Sequence, residues 1–131
     1  MAFIMQRSGD GRVAPVEYLP AKAGTYKIGQ AVDFDTAAHQ LGNSVTPKYI
    51  SVADIVISTA GDLLPCIKII SGMVFESELS ASGTIYPGND YFVSADGTKV
   101  APTGTAGQNK FRVEYSAGNL AGDIVRGYFI V

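Results

Sequence analysis

One histidine, His39, and one cysteine, Cys66, bound the acid–base and nucleophilic chemistry open to this chain. Any Ser-His-Asp or Cys-His arrangement would have to use His39, because the nucleophile needs a base within hydrogen-bond reach. No local motif accompanies His39, and the strained Gly-x-Ser-x-Gly turn of a serine hydrolase is absent. Cys66 lies in Leu63-Leu-Pro-Cys-Ile67 among apolar neighbours, the setting of a buried, unreactive thiol. With one of each, neither an internal disulfide nor a Cys/His zinc set can be assembled. Asp33 and Asp35 begin like a calcium loop, but its required sixth-position Gly and twelfth-position Glu are Ala38 and Ser44 here. Glu76 and Glu78 share a strand face and could serve as an acid/base pair; a solvated face is the expectation. The run Gly104 to Lys110 fails the phosphate-loop spacing, and Phe111 stands where a magnesium-binding hydroxyl would be needed. We therefore expect no enzyme, no metal and no cofactor.

The elements that carry these residues read as strands. Apolar residues come in short alternating or continuous runs separated by Gly, Pro, Asp and Asn. Met73, Phe75, Ser77 and Leu79 alternate with Val74, Glu76 and Glu78; Phe111, Val113 and Tyr115 define one face of a later run. Residues 63–70 are the most apolar stretch, although Pro65 keeps its first half from central pairing. Ala95-Asp96-Gly97 is a hairpin turn signal between two such runs. Residues 35–41 could make a helical turn capped by Asp35 and stopped by Gly42, but so short a piece reads as strand or loop. The triplet Ala-Gly-Asp precedes both Leu63 and Ile124 as a turn into a strand; two three-residue matches do not establish a duplication. Turn signals roughly every 8–12 residues predict an all-β, single-domain β-barrel or β-sandwich.

Composition adds exclusions. Of 131 residues, 17% are charged, against roughly 25% in an average soluble domain. Ten basic and twelve acidic side chains give a net charge of −2, which argues against a nucleic-acid partner, whose phosphates need clustered Lys and Arg. No apolar run is long enough to span a bilayer or to form a signal peptide, so the expectation is a soluble protein made in a cytoplasm. The charge deficit suggests that part of the surface meets another protein. Seven dispersed tyrosines suit strands and interfaces; a sugar platform is the other use for them.

The order of several segments resembles a known family. Leu19-Pro-Ala-Lys-Ala-Gly-Thr-Tyr-Lys-Ile-Gly-Gln-Ala31 is similar to the opening of small capsid decoration (head-stabilisation, or cement) proteins of tailed bacteriophages. So are Pro47-Lys-Tyr-Ile-Ser-Val-Ala-Asp54, Gly61-Asp-Leu-Leu-Pro-Cys-Ile67, Phe75-Glu-Ser-Glu-Leu-Ser-Ala81, the Asp96-Gly97 hairpin and Ala121-Gly-Asp-Ile-Val-Arg126. The resemblance runs from Leu19 to the C-terminus and divides the chain into residues 1–18, an N-terminal arm, and 19–131, a barrel or sandwich. It implies a virion structural protein, made in the host bacterial cytoplasm. On the outer capsid surface it would act as a homotrimer bridging subunits of the major capsid protein. The alternative is a β-barrel carbohydrate or host-surface binding module of a phage fibre or lectin.

Two ends of the chain are the candidate contact sites. Before Leu19, an apolar tip of Phe3, Ile4 and Met5 is joined by Arg7 and Arg12 around a Gly9-Asp-Gly11 hinge. These five residues would bind the capsid if the arm orders on its surface; a frayed terminus is the competing expectation. Tyr128, Phe129, Ile130 and Val131 must be covered by barrel closure or by a neighbouring subunit, and are candidates for the subunit interface.

Overall fold

The computed structural model describes residues 2–8 and 15–131, and every strand among them pairs antiparallel with its neighbours. The strands are β1 Ile4–Ser8, β2 Glu17–Pro20, β3 Gly24–Tyr26, β4 Ala31–Asp35, β5 Gln40–Asn43, β6 Tyr49–Ser51 and β7 Ile55–Ile57. They continue as β8 Leu63–Lys68, β9 Met73–Glu78, β10 Asp90–Val93, β11 Val100–Ala101, β12 Phe111–Ser116 and β13 Ile124–Phe129. No helix occurs among the described residues. The all-β class expected from the turn spacing is the observed one.

A five-stranded sheet runs β2-β8-β6-β4-β5, a six-stranded sheet runs β1-β9-β13-β12-β10-β11, and β3 pairs with β7 as a small ribbon. The first sheet curls until its flanks meet through a parallel bridge, Ala21 to Leu41, and in the second the bridge Leu79 to Val100 joins the end of β9 to β11, leaving β1 outside the closure. The distinction between barrel and sandwich is therefore blurred: two curled sheets pack as the layers of a sandwich. Curling also hides sheet edges that would otherwise be open to unwanted pairing.

Leaving β1 aside, the two sheets share one topology. In each, the first strand in chain order lies beside the last, the last beside the fourth, then the second, then the third. The two Ala-Gly-Asp triplets occupy matching places in it. Ala21 N–H donates to the Asp62 carbonyl at 3.0 Å, as Leu79 N–H does to the Asp123 carbonyl at 2.9 Å. Gly61 N–H returns to the Ala21 carbonyl and Gly122 N–H to that of Leu79, both at 2.9 Å. Lys22 and Ser80 then donate to the Leu41 and Val100 carbonyls, both at 2.8 Å. These matched bonds turn the two triplets into evidence that one supersecondary unit is used twice.

Two cores fill the molecule. The smaller comprises Ala21, Tyr26, Val32, Leu41, Ile57, Leu64 and Cys66, all from the first half. The larger joins both halves: Ala31, Ile50, Ile67 and Ile69 share it with Met73, Phe75, Leu79, Val113, Val125 and others of the second sheet. Burial of each Val, Leu, Ile, Phe or Met among them contributes about 1.5–3 kcal/mol before conformational entropy is subtracted. The Asp96-Gly97 turn ties the halves, since Ala31 N–H donates to the Gly97 carbonyl at 2.7 Å. Residues 36–39 form the β4–β5 turn, with Asp35 Oδ1 accepting from the Ala37 N–H at 2.8 Å and the Ala38 N–H at 3.3 Å.

In β9, Met73, Phe75 and Ser77 are buried and Leu79 follows them inward, but Val74 of the opposite set is buried too, so the expected alternation fails at that position. It also breaks in β12. A register shift between Val113 and Tyr115 places one extra residue there, so Phe111 and Val113 face the core while Tyr115 is 50% exposed. Pro65 behaves as its chemistry requires. It sits opposite Tyr18 in β2, whereas the ladder between β8 and β6 covers only Cys66 to Lys68.

Candidate functional site

The N-terminal expectation needs correction. Residues 4–8 form β1, an edge strand laid antiparallel on β9, and residues 17–20 form β2, the first strand in the order of the five-stranded sheet. The described part of residues 1–18 is therefore built into the body. Phe3 is 1% exposed, and its ring lies 4.8 Å from that of Phe129 and 5.5 Å from that of Phe111. Its N–H donates to the Gly29 carbonyl at 2.9 Å. A side chain so enclosed cannot be a surface contact; it is a core residue supplied by the far end of the chain. Met5 packs partly against the same core, and Ile4 is exposed. Arg7 pairs through its backbone with Val74, and Arg12 lies outside the described residues.

The C-terminal residues divide in the same way. Phe129 is buried, with ring centroids 5.2 Å from Phe75 and 5.1 Å from Phe111, so sheet closure covers it and no second subunit is needed. That corrects its assignment to an interface. Ile130 is half-buried and donates its N–H to the Lys110 carbonyl at 2.8 Å. Tyr128 is half-buried opposite Arg112, whose guanidinium grips Asp90 through bonds of 2.7 and 3.1 Å. The Asp90 carboxylate and then Tyr128 hold Arg112 charged above its ordinary range. Only Val131, 51% exposed, remains a substantially open apolar side chain at this end.

An exposed apolar row on paired strands lies elsewhere. Tyr18 and Pro20 of β2 stand directly opposite Pro65 and Leu63 of β8. Directly opposed residues of an antiparallel pair project to one side, so these four form one outward row. Leu19 and Leu64, one position along, face the smaller core. Tyr18 is 63% and Leu63 54% exposed, and Val16 just before β2 is exposed too. Two adjacent strands thus carry apolar side chains on both faces. The sequence signal is present in Tyr18-Leu-Pro20 and Leu63-Leu-Pro65, runs with no polar alternation, but the pairing that brings them together is long-range.

The residues with chemical potential are held apart. His39 is exposed in the β4–β5 turn with φ 56° and donates its N–H to the Asp35 carbonyl at 2.7 Å. Asp35 is paired with Lys22, and that bond, then the N–H groups of Ala37 and Ala38, pull its carboxyl down to about 2. Glu76 pairs with Arg126 at 3.4 Å, and Arg126 also lies over the Tyr115 ring. Among the described residues no group of three His, Cys, Asp or Glu side chains is placed to hold a metal ion. Of the tyrosines, Tyr18, Tyr86 and Tyr115 are well exposed, but on three separate segments. No protein-family model matches the chain, and no curated protein matches it.

Cys66 is fully buried against β2, its thiol directed to the Glu17 carbonyl at 3.6 Å. Burial, and secondarily the Glu17 carboxylate, push the thiol up to about 11. At pH 8 the thiolate fraction is then on the order of one in a thousand. Native protein is expected to react with a maleimide at least ~100-fold more slowly than urea-unfolded protein. Equal labelling rates followed by mass spectrometry would contradict this placement of Cys66.

Proposed function

We propose that this protein is a structural component of a virion that binds the outer surface of a tailed-phage head shell and stabilises it. It acts as a homotrimer that bridges neighbouring subunits of the major capsid protein. The observation that carries the reading is the row of exposed Tyr18 and Leu63 with half-buried Pro20 and Pro65 on paired strands. A rigid sheet face of aromatic, aliphatic and proline side chains loses little conformational entropy when covered, which suits a protein contact. The ordered resemblance of the segments from Leu19 onward supplies the nature of the partner. Repeated sites on a shell need only modest area each, because a trimer gains avidity from simultaneous contacts.

The test is co-sedimentation with expanded and unexpanded heads, with the mass of the free protein measured in parallel. Wild type should bind expanded heads at a fixed stoichiometry in multiples of three. The double variant Tyr18→Asp/Leu63→Asp alters exposed positions only, so it should keep its circular dichroism spectrum. Its head binding should fall by about 100-fold or more, since central interface anchors cost about 2 kcal/mol or more each when removed. A wild-type protein that is monomeric and binds neither head form defeats the reading. Unchanged binding by the variant removes the β2–β8 row from it.

A further inference from the structure

A polar cleft of about 550 Å³ lies on the seam between the two halves. The first half lines it with Thr25, Lys27, Gln30 and Asn43, and the second with Asp96, Thr98 and Lys99 of the hairpin turn. Hydrogen-bond accounting decides what such a cleft can accept. Gln30 is buried; its Oε1 accepts from the Lys27 N–H at 2.9 Å and its Nε2 donates to Asn43 Oδ1. With Oδ1 occupied, Asn43 presents its two amide N–H donors. Asp96 is the one acidic side chain among the described lining residues, and its Oδ1 already accepts three bonds. They come from Ser94 Oγ at 2.7 Å, Thr98 N–H at 3.0 Å and Thr98 Oγ at 2.7 Å.

The groups left over are almost all donors. Lys27 and Lys99 form no ion pair with any described residue, and both belong to this lining. The Asn43 amide and the Thr25 hydroxyl add neutral donors beside them. Two lysines against the single Asp96 carboxylate, which itself attracts Lys99, leave a net positive charge toward anionic oxygen. Among the described residues no aromatic side chain lines the cleft to stack a sugar ring, so the matching partner is peptide rather than carbohydrate.

We propose that this seam cleft binds carboxylate side chains of an acidic peptide segment on the partner protein, with Lys27, Lys99 and Asn43 as the recognising groups. The identity of that partner as a shell subunit rests on the function proposed above; the carboxylate chemistry does not. Recognition of this kind weakens with salt, because the lysines are solvent-accessible. It also couples the halves, since one ligand would contact both sides of the seam.

The probe is the capped peptide acetyl-Glu-Asp-Glu-amide, titrated into the full-length protein and followed by ¹H–¹⁵N spectra, with acetyl-Gln-Asn-Gln-amide as its neutral counterpart. Saturable shifts at Lys27, Gln30, Asn43 and Lys99 are expected, with half-saturation in the range of about 1 mM. The Lys27→Gln/Lys99→Gln variant should weaken binding about tenfold, and the neutral peptide should produce no saturation. No saturable shift with the acidic peptide, equal shifts with the neutral one, or undiminished binding by the variant would each overturn the proposal. Head binding separates the two claims. Peptide binding without head binding leaves the cleft standing and defeats the shell as partner. Head binding that is unaffected in a variant unable to bind peptide removes the cleft from that contact.

Discussion

Replacing Phe3 with alanine is expected to cost about 3–5 kcal/mol of folding stability, the usual loss for a large aromatic side chain removed from a core. The ring is enclosed by Phe111 and Phe129, which themselves contact each other, so the surrounding side chains cannot simply collapse into the space. A domain of this size has about 5–15 kcal/mol in all, so one substitution near the terminus would consume much of it. Ile4→Ala, at a position 48% exposed, is the control and should change stability by less than about 1 kcal/mol. Urea unfolding followed by tyrosine fluorescence or circular dichroism reads both. A Phe3→Ala loss below about 1 kcal/mol would mean that the N-terminal strand is not part of the folded core. Removal of residues 1–8 should be at least as damaging, because it also exposes the edge of β9.

Gly97→Ala should be comparably severe, at about 2–5 kcal/mol, for two separable reasons. The backbone at Gly97 has φ 75°, where a Cβ costs about 1–2 kcal/mol. A Cβ there would also lie 2.5 Å from the Ala31 carbonyl oxygen, a backbone atom that cannot rotate aside. Overpacking of that kind adds about 1–3 kcal/mol. Gly88 separates the two effects: it has φ 91°, but a methyl group added there would meet nothing within 4 Å, so Gly88→Ala should show only the conformational cost. Equal urea midpoints for the two variants would show that the halves are not in contact at Gly97. A larger loss at Gly97 establishes the seam as part of the stable structure.

Local signals in the sequence translate well into this fold, and distant ones do not. The Asp96-Gly97 hairpin, the alternation of Met73, Phe75 and Ser77, and the limit that Pro65 sets on pairing all follow from the chemistry of a few adjacent residues. Phe3 and Phe129 illustrate the failure. Each looks like an exposed apolar residue when only its neighbours in sequence are considered, yet the two rings are in contact across nearly the whole chain. Charge deficit points to a protein-facing surface without locating it. Tyr18 and Leu63 become one row only through the pairing of β2 with β8, which hydrophobic periodicity cannot supply. Alternation alone puts Tyr115 on the wrong face, because a single inserted residue in β12 inverts the pattern beyond it.

The division into two cores also separates what an early stretch of chain can pack from what needs the last strand. Every residue of the smaller core lies between positions 21 and 66, so the first curled sheet has its interior complete once that stretch has left the ribosome. The larger core cannot close then, because it needs Phe129 of β13 packed against Phe3. Phe3 therefore gains its ring contacts only once β12 and β13 supply Phe111 and Phe129. Domains completed early fold early as the chain emerges. Until the second sheet exists, Ala31, Ile50, Ile67 and Ile69 of the first half lack the side chains that cover them. Completion of β13 is what lets Phe3 and the second sheet close over the first.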